Sequence, residues 1–157
     1  MTKTTDIHLR SATPEDLPAV TDLFRKTVLH VKEYTKEQVN TWALSNKDNA
    51  RWQDRIRRQH FLLAESKGKL VGFGSITADG YLDTLFVDKK FQRKGVATTI
   101  MQELLGYARK HRVEIVHSEV SLTAKPFFEK YGFRVIKPQQ VVLEGVVFVN
   151  YVMTIKV

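Results

Sequence analysis

Hydrophobic and polar positions divide the chain into runs that alternate with a period of two and runs that recur at three- and four-residue steps. Residues 6–10 alternate as a short strand does. Thr13, Pro14, Glu15 and Asp16 then carry the marks of a helix start: a capping hydroxyl, a proline at the first helical position and acids in the first turn. Leu17, Val20, Leu23, Phe24, Thr27 and Val28 follow at helical spacing, which predicts a one-faced helix from near Pro14 to about His30. Thr35, Lys36, Glu37 and Gln38 form a capping-box pattern, and Val39, Trp42 and Ala43 share one face behind it, so a second short helix is expected. Residues 45–49 interrupt it. Residues 50–58 resume helically around Trp52 and Ile56, leaving Arg51, Arg55, Arg57 and Arg58 on a solvated face.

From Phe61 the period changes to two. Residues 61–65 and 70–76 read as strands around a Lys67-Gly68-Lys69 turn, and Asp79-Gly80 marks a second turn before residues 81–87 complete an antiparallel meander. Strict alternation in this last strand puts Asp83, Leu85 and Val87 on one side and Leu82, Thr84 and Phe86 on the other. Val96, Ala97, Ile100, Met101, Leu104, Leu105 and Ala108 make the stripe of the clearest helix, closed by Arg109-Lys110-His111-Arg112, where cations suit the helix dipole. Residues 113–120 read as a strand, 123–131 as a short helix stopped by Gly132, and 133–157 as a closing hairpin turned at Glu144-Gly145. The order is βααβββαβαββ, without repeat or linker. At 157 residues it makes one α/β (α+β) domain spanning residues 1–157.

Composition narrows the chemistry. With 43% hydrophobic and 27% charged residues, neither disorder nor a membrane-embedded body fits. The absence of cysteine excludes disulfides, thiolate nucleophiles, iron–sulfur clusters and Cys-based zinc sites, and no metal is expected. Residues 1–6 lack the apolar stretch of a secretory signal and no apolar run approaches the ~20 residues of a membrane span, so a cytoplasmic location and no membrane partner are expected. The net charge of +8 raises nucleic acid, an anionic membrane surface or a phosphate-bearing cofactor as partners, and the arithmetic leaves all three open. An aromatic content of 10% does not call for an aromatic cage.

The informative segment runs from Leu85 to Thr98: a strand ends, a short basic loop turns, and a helix begins with a glycine in its first turn. The first amides of a helix have no carbonyl partner and the dipole adds roughly +0.5 charge there, so this is an anion site in outline. By itself the Gln-x-x-Gly-x-Ala pattern is weak, and a basic loop whose glycine relieves packing explains it as well. It is neither a P-loop nor a dinucleotide fingerprint.

Taken with Leu85-Phe86-Val87, the Gln92-Arg93-Lys94-Gly95-Val96-Ala97 run, the Ile100/Leu104/Leu105 helix and the later Ala124-Lys125-Pro126-Phe127-Phe128-Glu129-Lys130-Tyr131-Gly132-Phe133 segment, the chain resembles the GNAT superfamily of acetyl-CoA-dependent N-acetyltransferases. The element order agrees over essentially the whole chain. The resemblance implies a mixed, partly antiparallel central sheet of about seven strands flanked by about four helices. It also implies acetyl-CoA as co-substrate, its pyrophosphate wrapped by main-chain amides of Gln92, Arg93, Lys94, Gly95, Val96, Ala97 and Thr98, with the Thr98 hydroxyl available to phosphate. The strand before the loop splays from its neighbour, and main-chain groups of Leu85, Phe86 and Val87 pair with the pantetheine arm and polarise the thioester carbonyl. Ala97 stands where the commoner family form has a second glycine.

Attack of an amine on a thioester builds negative charge on oxygen, which a fixed N–H stabilises without a covalent enzyme intermediate. Asp83 occupies the position where the family often has an acid acting on the amine; the competing reading is a surface Asp beside the Gly80 turn. Phe128 stands where the family has its proton-donating Tyr, a real departure, and Tyr131, one helical turn on, is the substitute candidate, with a packing residue ahead of Gly132 as the competing reading and protonation by water as a third route. Ser121 is a candidate for positioning pantetheine or water, with a helix-entry hydroxyl as the alternative. His117 reads as a strand residue. Tyr34, Thr35, Glu37, Gln38 and Trp42 resemble a segment shared by a subset of bacterial GNAT proteins, and the acceptor pocket is expected from the N-terminal helices and the closing hairpin. The acceptor is an amine of unknown identity, and the apolar Val146-Val147-Phe148-Val149 run leaves monomer and homodimer open. Two rivals stand beside this reading: a CoA-binding protein of weak or different acyl specificity, and a basic nucleic-acid module, for which no helix-turn-helix, zinc-finger or ribonucleoprotein signature is present.

Overall fold

A computed structural model describes residues 6–45 and 49–157. Among these the chain forms β1 (His8–Ser11), α1 (Leu17–Leu29), α2 (Lys36–Leu44), α3 (Asn49–Arg58), β2 (His60–Ser66), β3 (Lys69–Ile76), β4 (Leu82–Val87), α4 (Val96–Lys110), β5 (Ile115–Ser121), α5 (Lys125–Tyr131), β6 (Arg134–Leu143) and β7 (Val146–Lys156). Single 3-10 turns at Pro14–Asp16 and Lys89–Phe91 precede α1 and α4. The expected order gains one helix, since α3 stands as an element of its own. Most of the interruption expected at residues 45–49 falls on residues 46–48, outside the described residues.

Local chemistry sets the helix starts. Asp16 accepts from the Thr13 N–H at 2.7 Å, and Thr35 and Gln38 exchange bonds at 3.1 and 2.8 Å, the reciprocal pairing of a capping box. Arg10 on β1 reaches Asp16 at 2.7 Å and Glu65 at 3.1 Å, and its guanidinium holds the Asp16 carboxyl down at about 2. The first strand is thereby tied to the entry of α1. The hairpin turns Lys67-Gly68 and Glu144-Gly145 have left-handed φ at both residues, as tight two-residue connections demand.

The strands form two antiparallel sheets, ordered β1-β2-β3-β4 and β5-β7-β6. On one face of the first sheet α4 lies unusually close, because β3 offers Gly72 and Gly74 beneath it: a Cβ at Gly74 would stand 2.6 Å from Ile100 Cγ2, and one at Gly72 3.0 Å from Val96 Cγ1. This approach fixes the start of α4 beside the end of β4. Ile100, Met101 and Leu104 are fully buried on that side with Leu82, Val116 and Met153. A second core, built on Val20, Phe24, Trp52, Phe61 and Phe73, lies between the first three helices and the opposite face.

The sheets meet at one isolated parallel bridge between Tyr81 and His117. There the His117 N–H donates to the Gly80 carbonyl at 3.0 Å, and the buried Ser118 hydroxyl donates to the Leu82 carbonyl at 2.7 Å. Beyond that point β4 ladders with β3 and β5 with β7, so the sheets part like a fork.

Candidate active site

The fork leaves the second edge of β4 unladdered among the described strands. The Asp88 N–H donates to the Val71 carbonyl at 2.8 Å, and ladder bonding alternates along an antiparallel pair. With Phe73 opposite Phe86 and Gly72 opposite Val87, the main-chain groups of Phe86 face β3, whereas those of Leu85 and Val87 face the fork. The Gln92 side chain donates to the Val87 carbonyl at 3.2 Å, which ties the loop to this edge. Leu85 and Val87 therefore stand where a pantetheine arm could pair. Phe86 does not, contrary to the expectation that all three share the edge; its contribution is a ring on the cavity wall.

Past Val87 the loop turns through left-handed Arg93 (φ 63°) and left-handed Gly95 (φ 84°). Gly95 is the N-cap of α4 and no side chain caps the helix, so the amides of its first turn point outward without a helical partner. Lys94 lies over the Phe91 ring at 5.2 Å, while Val96 is buried with its side chain against Gly72. Gln92, Arg93 and Lys94 are exposed, and Ala97 and Thr98 are partly so. Main chain, small residues and cations so arranged suit a pyrophosphate.

Beside the edge opens a cavity of about 270 Å³. Its wall is aromatic: Trp52, Phe24, Phe86, Trp42, Tyr34 and Phe148 follow one another with ring centroids 5.1, 5.2, 6.3, 5.8 and 5.7 Å apart. Composition did not announce this, because an ordinary aromatic content has been gathered onto one surface. Trp42 both packs and lines the cavity.

Asp83 lines the cavity too, but not on the face that strict alternation predicts. A bulge lies between Ser75 and Ile76 of β3, so that Ser75 pairs with Thr84 and Ile76 with Leu82, skipping Asp83. Leu82 joins the α4 core, and Asp83 turns toward α3, where its Oδ2 accepts from Arg55 Nε at 2.9 Å and Gln59 Nε2 at 2.8 Å. Arg55 is accordingly not on a solvated face: its side chain is 21% exposed and lies 4.7 Å over the Trp52 ring. Glu119, not singled out in the sequence, accepts from the Tyr81 hydroxyl at 3.1 Å and from Gln139 at 2.7 Å. Burial, with Asp83 and Glu119 nearby, pushes the Tyr81 phenol upward.

The remaining candidates separate. Ser121 lines the cavity, and its Oγ accepts from the Ala124 N–H at 3.1 Å, the helix-entry role. Phe128 is buried and forms part of the wall. Tyr131 is not among the cavity residues: on α5 its ring lies tilted against that of Phe127, four residues back, at 6.0 Å, and so leaves the face of Phe128. His117 is an exposed strand residue 5.1 Å from the Tyr81 ring. A hydroxyl with no role in proton transfer assigned from sequence lies nearer the start of α5: Tyr34 donates to the Val149 carbonyl at 2.8 Å and accepts from the Leu122 N–H at 3.0 Å, and burial raises its phenol. Its signal was the capping box beside it, which fixes the chain at Thr35.

The sequence matches the family model described as the acetyltransferase (GNAT) domain over residues 30–155. It is 33% identical over 153 residues to a protein of Escherichia coli K12 described as the uncharacterized N-acetyltransferase YafP, covering 96% of this chain and 97% of that protein. Among solved structures, a GCN5-related N-acetyltransferase from Rhodopseudomonas palustris matches with a TM-score of 0.95 at 26% identity, covering 100% of this chain and 99% of the other. PaiA N-acetyltransferase from Thermoplasma acidophilum, solved in complex with coenzyme A, shares the fold with a TM-score of 0.78 at 19% identity, covering 97% and 99%. No helix among the described residues is long and apolar enough to cross a membrane. Since the family match runs across both arms of the fork, from the end of α1 to β7, this chain belongs to the GNAT family of acetyltransferases and is an acyltransferase.

Proposed function

We propose that the chain, acting as one domain, moves an acetyl group from acetyl-CoA to a primary amine by direct attack. The observation that carries this reading is the adjacency of two sets of main-chain groups, the fork-facing edge at Leu85 and Val87 and the uncapped start of α4 at Gly95. Arg93 and Lys94 supply charge around the pyrophosphate, Gln92 ties the loop to Val87, the amides from Gly95 to Thr98 bond the phosphates, and the Thr98 hydroxyl adds a donor. Main-chain groups of Leu85 and Val87 hold the pantetheine arm and stabilise the negative charge that builds on the thioester oxygen. The amine enters from the aromatic cavity, with Asp83 orienting it and Phe128 closing the wall beside the thioester.

The amine nitrogen bonds to the acyl carbon, the carbon–sulfur bond breaks, one N–H proton is lost and the thiolate takes one up. Phe128 has no proton to give, and Tyr131 faces elsewhere. We assign the proton return to Tyr34, whose hydroxyl stands at the peptide leading into α5; Ser121 holds that peptide turn in place. The reading agrees with a chain without cysteine, in which no acyl-enzyme on sulfur can form.

Thermal denaturation with and without acetyl-CoA tests the proposal, because selective binding to the native state raises the midpoint. At a hundredfold excess over Kd the expected stabilisation is about 2.7 kcal/mol. An unchanged midpoint at millimolar acetyl-CoA would refute it.

A further inference from the structure

We infer that the acceptor is an arylamine, a primary amine bonded directly to an aromatic ring; this rests on the acetyl-transfer reading above. The cavity wall first sets the shape of what can enter. Six rings from Trp52 to Phe148 form a continuous apolar surface, and flat aromatic bodies gain most from such contact through offset and edge-on packing. A volume of about 270 Å³ is at the small end for ligand cavities, which suits a single substituted ring. The closing hairpin seals one flank: Tyr34 donates to the Val149 carbonyl and Gln38 to the Val147 carbonyl, each at 2.8 Å.

Charge then discriminates between kinds of amine. An aromatic wall with acids at its mouth would ordinarily read as a trap for an ammonium ion. Here the protein supplies its own cation: Arg55 lies 4.7 Å over Trp52 while bonding Asp83 at 2.9 Å. The face of Trp52, the ring nearest Asp83's partner Arg55, and the Oδ2 atom of that carboxylate are therefore both engaged. Gln59 occupies the same Asp83 oxygen at 2.8 Å, and Glu119 is shared between Tyr81 and Gln139. An alkylammonium entering this cavity would have to shed its hydration and a proton to carboxylates already bonded.

An arylamine has neither need. Its nitrogen lone pair is delocalised into the ring, so it is neutral at physiological pH and reaches the thioester without prior deprotonation. The reaction balances as for any amine: the N–C bond forms, the C–S bond breaks, and the proton released by nitrogen is matched by the one taken up at sulfur. Asp83, held by Arg55 and Gln59, then serves as a positioning residue whose geometry matters more than its basicity.

The test uses the full chain, acetyl-CoA and four acceptors: 4-methoxyaniline, 4-methoxybenzylamine, spermidine and N-acetyl-lysine amide. The two ring amines differ by one methylene but strongly in basicity. Expected is a kcat/KM for 4-methoxyaniline at pH 7 at least about 200-fold above each of the others, the upper limit of what one methylene alone brings. Phe148→Leu is expected to raise KM for 4-methoxyaniline several-fold, and Arg55→Met to narrow the gap between the two ring amines. If Arg55→Met does not fold, the wild-type ratio and the Phe148 variant still decide. Turnover of 4-methoxybenzylamine, spermidine or the lysine amide equal to or above that of 4-methoxyaniline overturns the inference, as does the absence of turnover with all four. In either case a midpoint raised by acetyl-CoA leaves the acetyl-transfer reading standing; an unmoved midpoint removes both.

Discussion

The two sides of the fork are made of different material. Toward α4, residues 85–98 offer amides and carbonyls whose positions follow from ladder register and from where a helix begins. Toward α1, α2 and α3, the surface consists of side chains from five elements and one loop: Phe24, Tyr34, Trp42, Trp52, Phe86 and Phe148. A main-chain site tolerates many side chains but few backbone changes. A side-chain site has the opposite sensitivity, and so the half that holds the donor can stay fixed while the half that meets the acceptor varies.

Five substitutions press on this contrast. Gly95→Val should have the largest effect, because Gly95 caps α4 at φ 84°, where a β-branched residue is strained, although a Cβ there meets no atom within 4 Å. Loss of the whole acetyl-CoA stabilisation, about 2.7 kcal/mol at a hundredfold excess over Kd, is expected in thermal denaturation. If Gly95→Val bound acetyl-CoA normally, the main-chain account of the donor side would fail. Gly74→Ala acts on the same half from beneath: its Cβ would press on Ile100 Cγ2 at 2.6 Å, and overpacking of this kind costs about 1–3 kcal/mol. Chemical denaturation should show that loss together with weaker acetyl-CoA binding, since α4 is displaced.

On the other side, Tyr34→Phe should leave the acetyl-CoA midpoint shift in place and lower kcat about tenfold or more, the usual scale for a lost proton donor. Phe128→Tyr in that background should restore part of the rate, a rescue that a merely structural Tyr34 would not allow. Tyr131→Phe is the smallest expected effect, within about 0.5 kcal/mol in stability and without change in turnover, as its hydroxyl lies away from the cavity. A large loss of turnover in Tyr131→Phe would redraw the boundary between the two halves.

The same division explains what could be read from sequence. Strands, turns and helix starts were legible because each is set by neighbours in the chain: the Thr35 capping box, the Glu144-Gly145 turn and the passage from Val87 into α4 all stand as expected. Asp83 was found, but its direction was not. The bulge opposite β3 is an event between two strands, invisible to a count of alternating residues within one. Arg55 looked solvated because its helix is rich in Arg, and only tertiary packing brings it against Trp52 and Asp83. The glycines at 72 and 74 likewise reveal their purpose only when α4 lies over them. The aromatic wall spans positions 24 to 148, so no window of sequence contains it.

The fork at Tyr81 and His117 also has a bearing on the sheet as a whole. A ladder that stops short leaves main-chain groups without a strand partner, and an extended ligand arm laid against Leu85 and Val87 would act as an additional strand, knitting both sheets into one surface. Donor binding would then register as slowed hydrogen exchange at those two amides, with Phe86, already laddered to β3, serving as the internal standard that does not change.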